Sequence, residues 1–256
     1  MTAEQVGDSR SFESLRRILA VTRLHFVNKV AILYTPLMVL ATIFALNYAI
    51  WWLVIYAGHL QIANSRTTTH LGYTGAVSYI FVYALVIAVQ AISRTFPFSL
   101  GFGVTRRDFY LGSVLAFVIL SIMLSVVLTI MSVIEIATGG WGVQGYMFAP
   151  VYFTNNSWFV RFLMYFLVFL FCLFVGAGAA SMYVRWRAIG LTSFFLILAV
   201  LLVGGLAIIT FNDSWAAVAR WFAQSGAFGV SAWTLVPTAI AGIAGFFILK
   251  RATPKN

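Results

Sequence analysis

Long apolar runs separated by short polar islands dominate the chain. A helix needs about 20 apolar residues to cross a bilayer, and the pattern predicts six such spans, over 30–56, 73–92, 109–137, 160–183, 188–210 and 232–249. Ahead of the first span the pattern changes. From Ser11 to Asn28, Phe12, Leu15, Ile18, Leu19 and Phe26 fall near one helical face, while Arg16, Arg17 and Arg23 lie off it. A basic amphipathic helix of this kind lies in the membrane interface, here capped by Ser11 with Glu13 in its first turn. Residues 1–9 read as a polar, mobile lead. No signal peptide is expected before the first span, since the N-terminus is polar for about thirty residues.

Punctuation between the runs sharpens this picture. Pro36 falls near the start of the first span, and Trp51, Trp52 and Tyr56 mark its far interface. A hydrophilic segment, 57–72, follows with His59, Arg66 and His70. Residues 138–159, rich in glycine and aromatics, read as an interfacial belt. The string from Gly176 to Ala180 suits close helix packing, and Arg185-Trp186-Arg187 makes a basic turn. In 211–232, Asn212-Asp213 can cap a short helix carrying Trp215, Val218, Ala219 and Phe222, broken at Gly226 and Gly229. That segment is too short to span and is expected to dip into the outer leaflet. The reading is therefore an all-α, polytopic membrane protein: an N-terminal part over 1–29, a six-span body over 30–249 and a tail over 250–256.

The island from Ser93 to Gly112 carries the densest set of local signals. Pro97 disfavours helix for Phe96, so the preceding helix is expected to end there. Gly101 and Gly103 permit unusual backbone angles. Thr105 is an N-cap with Asp108 three positions on, and Val104 and Phe109 occupy the places of a hydrophobic staple; such a cap contributes about 1 kcal/mol.

Composition confirms the solvent. Of 256 residues, 62% are hydrophobic and 9% charged, with a mean hydropathy of +0.98, against roughly 25% charged in soluble domains. The net charge of +10 comes from 16 Lys and Arg against 6 Asp and Glu. It does not point to nucleic acid, because the cations cluster between apolar runs. Thirteen of the sixteen fall in 1–29, 93–108, 185–187 and 250–256; Arg66, Arg161 and Arg220 are the others. By the positive-inside rule the thirteen face the cytoplasm, as do both termini, leaving 57–72, 138–159 and 211–232 outside.

Candidate chemistry is sparse. No Walker A pattern or complete dinucleotide fingerprint occurs, no His or Cys pair has metal-ligand spacing, and Cys172 in an apolar run has no histidine partner for nucleophilic catalysis. No catalytic role or cofactor is expected within the chain. Glu135, an acid in a span, is a functional candidate by default, although solvation at the outer interface would account for it. Asn47 and Gln90 are expected to hydrogen-bond across helices. With so little charge in the spans, a proton- or sodium-coupled carrier lacks its carboxylates.

The motif Phe98-Ser-Leu-Gly-Phe-Gly-Val-Thr-Arg-Arg-Asp-Phe109, the amphipathic first helix and the six spans together resemble the permease subunits of type-2 ABC exporters, particularly actinobacterial ones. The resemblance implies a coupling element over 93–108 that docks on a separate ATPase, with Phe96, Pro97, Phe98, Leu100, Thr105, Arg106, Arg107 and Asp108 as its residues. It implies a pathway lined by the second and fifth spans, offering Tyr79, Tyr83, Gln90, Thr192 and Phe195. Independently of it, Asn47 and Glu135 stand as a candidate polar site within the membrane. ATP and magnesium would reside in the partner ATPase. A second permease subunit, identical or not, would complete an exporter of apolar or amphipathic compounds in a bacterial plasma membrane. A non-transporting sensor, immunity or scaffold subunit of the same fold is the alternative.

Overall fold

The computed structural model describes residues 3–57, 75–149 and 157–252, with side chains from Glu13 onward and, in the second helix, up to Val54. The expected segment with His59, Arg66 and His70, the middle of 138–159 and the end of the tail lie outside the described residues. Every described element is helical: α1 (Ala3–His25), α2 (Thr35–Ala57), α3 (Ser78–Gly101), α4 (Arg106–Ala137), α5 (Trp158–Phe211), α6 (Trp215–Trp233) and α7 (Leu235–Lys250). Among the described residues, five stretches are long and apolar enough to cross a membrane.

Helix α4 packs against α1, α3, α5 and α7, and α5 packs against α3, α4, α6 and α7. The 32 residues of α4 extend about 48 Å at 1.5 Å per residue, more than the ~30 Å of a hydrocarbon core. Its buried face is a ladder of small hydroxyls. Ser113, Ser121, Ser125 and Thr129 each donate to the carbonyl four residues back, at 2.6–2.9 Å. Each hydroxyl is thereby satisfied within its own helix, as an apolar solvent demands, while its small size lets neighbours approach.

Close approach is also what the Gly176–Ala180 string provides. A Cβ added to Gly176 would lie 2.5 Å from the Leu85 carbonyl oxygen of α3, a clash, whereas one on Gly178 would make ordinary contact with Ala241 of α7 at 3.6 Å. The string thus serves two neighbours, one on each face of α5.

Breaks in the helices have local causes. The Val30–Tyr34 turn preceding α2 is wide, with the Thr35 N–H reaching the Val30 carbonyl five residues back; Pro36 follows and cannot donate. Inside α5, Arg187 takes φ 58 and ψ −146, so the helix divides into 158–186 and 188–211 at the expected basic turn. A Cβ on Gly190 would meet the Trp186 Cβ at 2.6 Å, so the turn closes against a glycine. Gly226, at φ 61, breaks α6 as expected. Gly229 does not: helix resumes after Gly226 and runs on to Trp233, with α7 following from Leu235. Thr234 keeps right-handed angles between α6 and α7, the interruption arising because Pro237 has no N–H for the Trp233 carbonyl.

Two other expectations fail. The helix does not end at Phe96: α3 continues through Pro97 to Gly101. Phe96 is fully buried against Phe109, ring centroids 5.2 Å apart, and Ser93, Thr95 and Ser99 bond back to carbonyls four residues earlier. Packing and hydroxyl bonds around the proline outweigh its local preference. Likewise α1 runs over Ala3–His25, so Ser11 lies inside the helix and not at its start; Ala3, Glu4 and Gln5 are good helix formers.

The packing at Gly176 yields a paired expectation. Gly176→Ala should destabilise the protein by about 1–3 kcal/mol, since the backbones must separate. Gly204→Ala, in a helix with open space around its Cβ, should be neutral or stabilising. Thermal unfolding in detergent micelles measures both.

Candidate functional site

At one end of the bundle meet α1, the turn 102–105 and the end of α7. The turn is short because α3 runs so far. Gly103 takes φ 75, a left-handed angle that suits glycine after a helix. Thr105 then caps α4, accepting from the Asp108 N–H at 3.1 Å. The expected box is half made: Asp108 turns outward to α1, accepting from the Ser14 hydroxyl at 3.0 Å and facing Arg17 Nε at 3.7 Å. Asp108 is buried, so this pair ties the start of α4 to α1.

Arg106 is also used internally. Its guanidinium donates to the Lys250 carbonyl at 2.9 Å, satisfying an open acceptor at the end of α7. Arg107 is exposed. Of the eight predicted coupling residues, Phe96 and Asp108 are buried and Leu100 and Arg106 partly so. Pro97, Phe98, Thr105 and Arg107 face outward. Beside them stands Phe102, 74% exposed, edge-on to Phe98, 54% exposed, with ring centroids 4.7 Å apart. The two rings border a cavity of about 230 Å³ against Ala20, Val21 and Leu24 of α1. Phe102 lies within the motif and the expected coupling element but was not among the eight residues named from them.

Beyond Asp108, three further contacts seat α1 on α4. A Cβ on Gly112 would fall 2.7 Å from the Ile18 carbonyl, so glycine allows the crossing. Thr22 donates to the Gly112 carbonyl at 3.0 Å. His25 Nε2 lies 2.8 Å from the Ser113 hydroxyl, which already donates to Phe109, so the imidazole is the donor. Between the Phe109 and Phe117 rings, burial lowers the His25 pKa from 6.5 to about 4.

At the opposite end Glu135 organises the segment after α4. It is fully buried, not solvated as expected. Its carboxylate accepts from Trp141 Nε1 at 2.9 Å and from the backbone N–H groups of Met147, Phe148 and Ala149 at 2.7–3.1 Å. A carboxylate in a last helical turn is disfavoured by the helix dipole; here charge-assisted bonds from the returning chain offset that. Trp141 reaches it with φ 60, flanked by Gly139, Gly140 and Gly142, all at positive φ. Phe44 packs on Trp141, Gly145 abuts Trp51 so closely that a Cβ would clash, and the Tyr165 hydroxyl donates to the Phe148 carbonyl. Arg161, one helical turn before Tyr165, is also buried here, its Nε and Nη1 without a hydrogen-bond partner. It was read from sequence only as a far-side cation.

The remaining candidates do not converge. The Tyr79 and Tyr83 rings lie tilted against each other, centroids 5.7 Å apart, and the Tyr83 hydroxyl donates to the Ala31 carbonyl at 2.9 Å. Gln90 is exposed. Thr192 bonds back to Ala188 within its helix, and Phe195 is exposed beside Phe194. None of the five lines the cavity described above. Asn47 donates to the Ile43 carbonyl of its own helix at 2.8 Å, where a bond across helices was expected. No group of three metal-ligating side chains occurs among the described residues. Against known proteins, no family model, no curated protein and no solved structure matches the chain.

Replacing Glu135 by Gln should cost about 3 kcal/mol, because an NH₂ group would confront backbone donors. Faster amide exchange over 141–149 would register it. Acidification should loosen α1. Its seating is complete above pH 6.5 and weakens as pH falls toward about 4, since undocked His25 takes up a proton that the docked residue resists. A spin label at Arg16→Cys in a Cys172→Ala background should gain mobility between pH 7.5 and 5, and His25→Gln should abolish that pH response.

Proposed function

We propose that this chain is the membrane-spanning permease subunit of an ABC exporter, driven by a separate ATPase that docks on the turn between α3 and α4. The observation carrying this reading is the exposed Phe98–Phe102 pair on a braced mount. Exposed aromatics beside cations are typical anchors of protein interfaces. The mount around this pair cannot give way easily: Thr105 caps α4, Asp108 holds α1 and Arg106 holds the end of α7. A partner's movement delivered there would pass into three helices at once.

Six spans follow when α5 counts as two at Arg187 and 227–250 as one. The basic end then faces the cytoplasm of a bacterial cell, with both termini. A second permease subunit would cover 188–211, whose apolar side chains are exposed almost all round. The cargo is an apolar or amphipathic compound, in keeping with the scarcity of charge in the spans. A non-transporting sensor, immunity or scaffold subunit is favoured by one observation: the five pathway candidates do not meet around a cavity. ATP-driven cargo movement in proteoliposomes separates the two readings.

Phe102→Ser with Arg107→Glu should leave the melting temperature unchanged and weaken capture of the co-expressed ATPase by about 30-fold, the cost of one interface anchor. Retention of full ATP-driven transport by this variant would remove the docking assignment.

A further inference from the structure

A groove of about 570 Å³ lies between α4, the 158–186 part of α5 and α7, walled by Tyr110, Val118, Phe174, Leu235, Ala239 and Phe247 among others. It is unlike a site for a polar ligand. The two wall residues with hydroxyls have spent them: Tyr110 donates to the Gly242 carbonyl and Thr238 to the Thr234 carbonyl. What remains facing the groove is hydrocarbon.

Its depth identifies the occupant. Along α4 the wall begins four residues from Arg106 and ends twelve residues from it, about 6 to 18 Å at 1.5 Å per residue. Along α7 it runs from Leu235 to Phe247, about 18 Å, stopping one turn short of Lys250. One leaflet of hydrocarbon is about 15 Å deep. The groove therefore starts at the basic end, runs through that leaflet and reaches somewhat past the midplane, about the length of an extended acyl chain. Directly below it Lys250 and Arg251 are exposed, at the helix end whose Lys250 carbonyl is held by Arg106.

We propose that the groove is a specific site for an anionic phospholipid of that leaflet, its acyl chain along α7 and its phosphate on Lys250 and Arg251. The apolar wall selects a chain and the cations below select a negative headgroup. The proposal requires the bundle to be membrane-embedded and is independent of any ATPase.

The test is native mass spectrometry of delipidated protein in detergent, titrated with phosphatidylglycerol or phosphatidylcholine. Wild type should retain phosphatidylglycerol about 30-fold better, the effect of two cations near an anionic headgroup. Ala239→Trp or Ile243→Trp, both at exposed wall positions that can accept bulk, should abolish retention of either lipid with the melting temperature unchanged. Lys250→Glu with Arg251→Glu should erase the headgroup preference while leaving weak binding of both. Equal retention of the two lipids by wild type, or undiminished retention by both tryptophan variants, would overturn the proposal. So would a wild-type dimer that either tryptophan variant converts to monomer, because a second copy would then fill the groove.

Discussion

A long helix with a buried carboxylate near each end underlies the whole arrangement. Asp108 and Glu135 lie 27 positions apart on α4, about 40 Å along its axis, and each recruits a different segment. Asp108 takes the Ser14 hydroxyl and faces Arg17, fixing α1 at the basic end. Glu135 takes three backbone amides and an indole, folding the chain after α4 onto the other end. Burying a charge is expensive unless its lone pairs are met, so each acid fits a single local fold. Between them the hydroxyl ladder and small residues let α1, α3, α5 and α7 approach α4 closely.

The two ends differ in what they leave open. Around Glu135 the packing turns inward: Phe44, Trp51 and Tyr165 close on the returning chain. Around Asp108 the braces are internal but the surface above them is not covered, and Phe98 and Phe102 stand out from it. That end thus combines exposed cations with two exposed aromatic rings.

Much of this was readable from the residues. The apolar runs, the Thr105 cap, the turn at Arg187 and the packing role of Gly176 each rest on local chemistry, and each is realised. The misreadings share a cause. Pro97, Gly229 and Ser11 were read by intrinsic preference, and in each case neighbouring residues overrode it. Glu135 was read as solvated because the groups that satisfy it lie 6 to 14 positions ahead and are mostly backbone amides, which leave no mark in sequence. Asn47 was expected to reach a neighbour, yet its own carbonyl at Ile43 was nearer.

The break at Arg187 has a mechanical consequence. A single residue joins two long helices, held at an angle that non-glycine residues resist at a cost of about 1–3 kcal/mol. The 188–211 helix is about 36 Å long, so any change of angle at that one residue would be multiplied along its length before reaching Phe211.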